Sequence, residues 1–193
     1  MTRIFERAGV TIEMSMQLAR AAGLAAAVAV GIGIAGTAAA QNERVAVHTD
    51  WTVFTPSDPR ECYIASPPTA SVARRGGEVV QVDRGEILLF VSFRPQENVE
   101  NEVSFTSGYP FREGSTVTVE VNGQTFTMQT GTGEGNRWAW TASPEEDARL
   151  VAAFRGGAEA KITGASSRGT TTEDTFSLMG FTAALGDAAG RCS

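Results

Sequence analysis

Apolar and polar residues alternate in short runs from residue 44 onwards, and turn-forming residues separate the runs. Alternation with period two gives each strand one buried and one solvated face, as in antiparallel sheets. Residues 70–77 are predicted to form a loop, and the residues after 180 are predicted to form a short tail. The predicted strands cover residues 44–48, 51–54, 61–65, 79–82, 87–93, 102–106, 116–130 (a hairpin), 137–142, 158–164 and 175–180.

The strongest local pattern is the hairpin over residues 116–130. Valines at every second position from 117 to 121 alternate with polar residues. Asn122-Gly123 is the dipeptide that a two-residue type I′ turn favours. This turn places Phe126 opposite Val119, so the apolar positions of both strands share one face.

One helix is predicted, over residues 144–155. Ser143 can cap its first turn, Glu146 completes a capping box, and Gly156-Gly157 ends the pattern. A single helix among many short strands predicts an all-β fold. We expect residues 41–193 to form a single antiparallel β-sandwich or flattened barrel.

The first 40 residues are typical of a cleaved export signal. Arg20 precedes an apolar run rich in Ala and Gly over residues 21–36, and Ala38-Ala39-Ala40 supplies the small side chains that a signal peptidase reads. A membrane span needs about 20 apolar residues, so cleavage is favoured over an uncleaved anchor. The mature protein is expected in the periplasm or outside the cell, without stable membrane insertion.

Both cysteines of the chain, Cys62 and Cys192, lie in the predicted exported part. An oxidising compartment favours their pairing. Neither has a Cys-x-x-Cys partner or a nearby histidine, which disfavours redox catalysis and zinc binding. We predict a structural disulfide, with two separate thiols as the alternative, and expect no metal or other cofactor.

The charge of the chain excludes several classes of partner. The formal net charge is −6 at pH 7, and removal of residues 1–40 makes it −7. Such a surface repels phosphate backbones and anionic lipid. Nucleic-acid binding and electrostatic docking on a membrane are therefore not expected.

Candidate catalytic groups are sparse. His48 is the single histidine, and no Gly-x-Ser-x-Gly motif accompanies it, which disfavours a Ser-His-Asp hydrolase. Residues 131–135 are rich in glycine but lack the Lys-Ser/Thr of a phosphate-binding loop, so a turn is predicted. Glu97, Glu100 and Glu102 could supply a carboxylate pair for glycoside chemistry, although a solvated loop accounts for them. A non-enzymatic protein is predicted.

One polar segment is the strongest candidate for binding. Arg168 lies among hydroxyl side chains that include Ser166, Ser167 and Thr170. A guanidinium in this setting could hold an anion or a carboxylate. The alternative is a hydrophilic turn whose hydroxyls bond to nearby backbone groups.

Two tryptophans form the second candidate. Trp138 and Trp140 project to the same side of one predicted strand, where they could stack on a ligand or belong to the core. The leading hypothesis is an exported protein that binds an unidentified protein or envelope component through Arg168 and exposed aromatic residues. The alternative is a β-sandwich or barrel that binds an apolar small molecule or a sugar.

Several segments together resemble the invasion-associated locus B family of exported bacterial proteins. They span nearly the whole predicted mature chain, and the final Ser-Leu-x-Gly-Phe-x-x-Ala pattern is the most specific. The resemblance implies a divergent member with a small β-rich domain, export to the periplasm or cell surface, and no catalytic residues to transfer. In some pathogens the family has a role in host-cell entry. The segments are residues 51–53, 149–157, 167–170, 174–178 and 180–184.

Overall fold

The computed structural model describes residues 44–56 and 61–193, and the predicted export signal of residues 1–40 lies outside this part. The described chain forms twelve strands, two α-helices and two short 3-10 turns. The strands are β1 Arg44–His48, β2 Trp51–Phe54, β3 Cys62–Ser66, β4 Ala70–Arg75, β5 Glu78–Val79, β6 Leu88–Arg94, β7 Val99–Thr106, β8 Thr116–Val121, β9 Gln124–Thr130, β10 Trp138–Trp140, β11 Glu159–Ala165 and β12 Thr171–Ser177. The helices are α1 Pro144–Gly156 and α2 Phe181–Cys192.

All twelve strands of the described chain belong to one antiparallel sheet, in the order β1-β2-β3-β6-β7-β10-β9-β8-β11-β12-β4-β5. The sheet curls so that its two halves face each other. Phe105 on β7 meets Phe176 on β12 edge to face at 6.0 Å, although their strands stand five places apart in the sheet. The predicted all-β fold is confirmed, with a sandwich-like core between the two halves of a single sheet.

The hairpin of β8 and β9 has the predicted register. Val119 pairs with Phe126, and Val117 pairs with Met128. Asn122 and Gly123 both have positive φ angles, 48° and 76°, as a type I′ turn requires. The valines of β8 and Met128 are buried in the common core.

Helix α1 begins where the sequence predicted and ends one residue later, at Gly156. The Ser143 hydroxyl accepts a hydrogen bond from the Glu146 amide at 3.4 Å, and the Glu146 carboxylate accepts one from the Ala142 amide at 3.1 Å. The Glu146 amide also donates to the Ser143 carbonyl at 3.0 Å, so the side-chain bonds reinforce the first turn of the helix. Asp147 belongs to the same acidic first turn, but its side chain is buried against β7.

Substitution of Asp147 by asparagine tests this burial through pH. One oxygen of Asp147 accepts hydrogen bonds from the Val103 amide at 2.8 Å and the Thr141 hydroxyl at 2.6 Å. Burial nevertheless raises the pKa of Asp147 above its ordinary value of 3.8. Folding therefore favours the protonated carboxyl, and the stability this contributes is full below pH 3.8 and lost as pH rises through the folded-state pKa.

The measurement is the free energy of unfolding of the native chain and of Asp147→Asn from pH 3 to pH 7. We expect the native chain to lose stability relative to the variant as pH rises. Asp187→Asn is the matched control of opposite sign, because a hydrogen bond with His48 and then one with Arg191 lower the pKa of Asp187. If the native chain instead gains stability relative to Asp147→Asn as pH rises, the burial argument is contradicted.

Helix α2 replaces the predicted tail after residue 180, so the prediction of a single helix was wrong. Phe181, Ala184, Leu185 and Ala188 recur at helical spacing and are all buried. Gly180 precedes the helix with a φ of 89°, and a Cβ there would lie 1.9 Å from the backbone oxygen of His48. Glycine is therefore needed to bring α2 against the first hairpin.

The predicted loop of residues 70–77 was also wrong, because residues 70–75 form strand β4. This strand pairs with β12 and turns at Gly76-Gly77 into the short β5 at the sheet edge. Its side chains are mostly exposed, and Ala73 is its one buried residue, so it lacks the strong alternation of a core strand. Strand β12 correspondingly begins at Thr171, four residues before the predicted start.

The predicted disulfide is confirmed. Cys62 on β3 is bonded to Cys192 at the last position of α2, with an S–S distance of 2.03 Å. The same helix packs on β2, where the Trp51 and Phe181 rings meet at 5.0 Å. Strands and C-terminal helix are thus joined by one covalent bond and by the aromatic core.

Candidate functional site

The polar segment predicted for binding is the turn that joins β11 to β12. The Ser166 amide donates to the Thr170 carbonyl at 2.8 Å, and the Thr170 amide donates to the Ser166 hydroxyl at 3.1 Å. Gly169 completes the turn with a φ of 80°. Ser166 and Thr170 are buried, whereas Ser167 and Arg168 are exposed. The Ser166 hydroxyl and the backbone of Thr170 therefore shape the turn, and Arg168 lies at its tip.

This turn forms one wall of an open cavity of about 410 Å³, which we call the arginine cavity. Four arginines line it: Arg75 at the end of β4, Arg84 before β6, Arg137 before β10 and Arg168 in the turn. Tyr109 and the hydroxyls of Ser166, Ser167, Thr170 and Thr172 also lie in its wall. Four separate parts of the chain thus place arginines around one space.

Arg84 and Asp174 form a buried ion pair beneath the cavity. Their side chains are 7% and 0% exposed, and two guanidinium nitrogens approach the carboxylate oxygens at 2.6 and 2.7 Å. Arg84 also donates to the Ser107 carbonyl and lies 5.0 Å from the centre of the Tyr109 ring. Asp174 accepts a further bond from the Ser71 hydroxyl at 2.6 Å. This network fixes the floor of the cavity.

The other three arginines are not neutralised in this way. Arg75 donates through two nitrogens to the Thr170 hydroxyl, at 3.1 and 2.8 Å. Arg137 and Arg168 are exposed, and neither guanidinium has a hydrogen bond or ion pair within residues 44–56 and 61–193. Asp83 also lines the cavity. Asp174 balances the charge of Arg84, and Asp83 offsets one of the three remaining arginines. The cavity therefore has two positive charges in excess.

Trp138 and Trp140 do not line the arginine cavity and are not in the core. Both are half-buried on the outer face of β10, with ring centres 6.2 Å apart, while Ala139 between them points inward. Ring contacts continue from Trp138 to Phe90, then to Tyr63 and Phe54. These five residues form an aromatic row across the outer face of the sheet. The structure therefore separates the two predicted binding candidates.

The remaining catalytic candidates are engaged elsewhere. His48 contacts the Asp187 carboxylate of α2 at 3.0 Å. Glu97 and Glu102 both bind Arg94, at 2.9 and 3.0 Å, and the hydrogen bond with Glu102 is the main cause of the raised Arg94 pKa. Residues 133–135 form a 3-10 turn between β9 and β10, as predicted for the glycine-rich segment. A charge pair accounts for each of these acidic residues.

Sequence reasoning missed Arg75, Arg84, Arg137 and Asp174. Asp174 carried a usable signal, because Thr172, Asp174 and Phe176 alternate inward on β12, and an acidic residue at an inward position requires a partner. The arginines carried none, since they are widely separated and their convergence depends on the sheet order.

The described part of the chain contains neither a membrane-spanning helix nor a group of side chains arranged to hold a metal ion. None of its helices is both long and apolar enough to cross a membrane. Its histidine, cysteine and acidic side chains include no group of three arranged to hold a metal ion.

The fold and cavity together define a curled-sheet β domain, closed by a C-terminal helix and a disulfide, that carries an arginine-lined cavity. Its sequence matches the family profile described as invasion associated locus B (IalB) protein over residues 51–189. The chain therefore belongs to the IalB family, as the resemblance predicted, and membership implies an exported, invasion-associated bacterial protein.

A solved structure supports the fold. The crystal structure of invasion associated protein B from Bartonella henselae superposes with a TM-score of 0.51 and 15% sequence identity, covering 75% of this chain and 95% of that one. At this identity the likeness concerns the fold alone. No curated protein matches the sequence.

Proposed function

We propose that the protein is a non-enzymatic binding protein of the periplasm or the secreted fraction, released by cleavage of residues 1–40. Its ligand is a protein or another component of the cell envelope, held at the arginine cavity. Family membership supports export, and the cavity supports binding.

One observation carries the proposal: Arg137 and Arg168, both exposed and without a side-chain partner in residues 44–56 and 61–193, line the same cavity. Arg137 and Arg168 stand on elements fixed by backbone hydrogen bonds, since the Ser167 amide donates to the Pro110 carbonyl and the Ser107 amide to the Arg137 carbonyl. These bonds fix the backbone at both positions, so binding has to order only the two side chains. Guanidinium groups that lack an acceptor of their own suit an anion-binding surface.

The composition of the cavity wall supports binding over catalysis. Ser166, Ser167 and Thr170 offer hydroxyls, but a hydroxyl nucleophile needs a base within hydrogen-bond reach. The single histidine, His48, does not line the cavity and binds Asp187 instead. The Ser166 and Thr170 hydroxyls are engaged with the Thr170 amide and Arg75.

Replacement of Arg168 by alanine is expected to weaken partner binding about tenfold to a hundredfold, because a charge-assisted hydrogen bond contributes about 1.5–3 kcal/mol. Stability should change by less than about 0.5 kcal/mol, since the side chain is exposed. The measurement is photo-crosslinking from a reactive residue placed at Ser167 in cells, with the melting temperature recorded in parallel. Arg112→Ala is the matched control at an exposed arginine outside the cavity.

The aromatic row favours a second candidate function, binding of a sugar on the outer face. Half-buried rings of Trp138 and Trp140 provide the apolar surface that such ligands stack on. If a reactive residue at Ser167 gives no crosslink while one placed at Phe90 in the aromatic row gives a crosslink that disappears in Trp140→Ala, binding at the arginine cavity is contradicted and this alternative is supported.

A further inference from the structure

We propose that the arginine cavity recognises a phosphate monoester, with the phosphate between Arg75, Arg137 and Arg168 and its organic group in the rest of the cavity. This inference rests on the proposed binding function and names the chemical class of the ligand. Four steps support it: the local charge, the arrangement of donors, the volume of the cavity and the nature of its walls.

The first step is charge. The chain has a net charge of −6, yet the cavity keeps two positive charges after Asp174 balances Arg84 and Asp83 is counted. A phosphate monoester carries about −1.5 to −2 charges at neutral pH, which matches this excess. The surrounding negative surface repels extended polyanions. A compact dianionic group inside a concavity is therefore favoured over a nucleic acid or a lipid surface.

The second step is the arrangement of the donors. Arg75, Arg137 and Arg168 come from β4, from the residue before β10 and from the β11–β12 turn, so they approach the cavity from three parts of the fold. A carboxylate has two coplanar oxygens that one guanidinium binds in a bidentate manner. A phosphate monoester has three terminal oxygens in a pyramid, and these suit donors arriving from several directions.

The third step is volume. A cavity of about 410 Å³ lies in the range of small-molecule sites and is many times the roughly 30 Å³ that one water occupies. A free inorganic phosphate would leave most of this space unfilled. An ester places its charged group at the arginines and its organic part in the remaining volume.

The fourth step is the apolar part of the cavity wall. Val82, Tyr109 and Pro110 contribute apolar surface to the same cavity. Tyr109 is held in place by its hydroxyl, which bonds with the Thr172 hydroxyl at 2.7 Å. An apolar and aromatic wall beside a cationic one suits a ligand with an organic body and a phosphate end.

Isothermal titration of the mature protein tests the inference, with glycerol 3-phosphate as the ester, inorganic phosphate as the free ion and succinate as a dicarboxylate. We expect the ester to bind more tightly than either of the others. Arg137→Ala and Arg168→Ala should each weaken ester binding about tenfold or more. Arg74→Ala, on the neighbouring residue of β4 outside the cavity, should change it less than about twofold.

Three outcomes would overturn the inference: absence of ester binding, tighter binding of succinate or inorganic phosphate, or an equal loss in Arg74→Ala. The proposed function fails separately. If crosslinking at Ser167 depends on Arg168 while the ester does not bind, the binding role stands and the ligand class is wrong. If the ester binds but crosslinking is independent of Arg168, the ligand class stands and the envelope partner is wrong.

Discussion

Replacing Asp174 by alanine is expected to lower the free energy of unfolding by about 3–5 kcal/mol, because it leaves the buried guanidinium of Arg84 without its counter-charge. The Asp174 side chain is fully buried and accepts hydrogen bonds from Arg84 and Ser71. Removing one partner of such a pair costs more than the pair itself contributes, since the remaining charge keeps its desolvation penalty. Denaturant-induced unfolding measures the loss.

Two further variants separate charge from packing. Asp187→Ala removes a carboxylate near the surface that binds His48 and Arg191, and we expect it to cost less than about 1 kcal/mol. The double variant Arg84→Met with Asp174→Leu removes both charges and should recover most of the stability lost in Asp174→Ala. If Asp174→Ala loses no more than Asp187→Ala, the buried pair does not stabilise the fold.

Replacing both cysteines by alanine is expected to cost about 2–5 kcal/mol, the second largest effect. The disulfide joins residues 130 positions apart, and a loop of that length corresponds to about 5 kcal/mol in the chain-entropy description. The effect acts mainly on the unfolded chain, so the Trp51–Phe181 contact and the β-sheet should persist in the variant.

Unfolding with and without a reducing agent provides the measurement. The native protein should lose stability on reduction and approach the Cys62→Ala, Cys192→Ala double variant, while the double variant itself should not respond to the reductant. Equal midpoints for the oxidised protein and the double variant would show that the covalent bond does not stabilise this fold.

Local signals account for the elements that the sequence predicted well. Asn122-Gly123 determines the β8–β9 turn through backbone conformation, and Ser143 marks the start of α1 through hydrogen bonding. Strand β4 lacks an equally strong signal, because it lies next to the sheet edge and has little apolar alternation. Helix α2 has apolar residues at helical spacing, but Gly186 and Gly190 weaken its helix propensity and favoured the prediction of a tail.

In the candidate site, too, the residue with a local sequence signal was predicted and the residues without one were not. Arg168 was predicted because hydroxyl residues and a glycine surround it in the sequence, and the turn that they build is local. Arg75 and Arg137 reach the same cavity only because β4 pairs with β12 and β10 pairs with β7. Pairing between strands far apart in sequence depends on packing of the whole core. The spacing of residues along the chain therefore does not predict which arginines meet at the cavity.

The position of Cys192 has a consequence for biogenesis. When a chain is exported from its amino end, Cys62 emerges first and its partner Cys192 follows 130 residues later. During that interval Cys62 is an unpaired thiol, and an oxidising compartment would allow it to form mixed disulfides with small thiols or with neighbouring chains. Because Cys192 is the last residue of helix α2, a truncation that removes this helix would leave Cys62 unpaired in every exported copy.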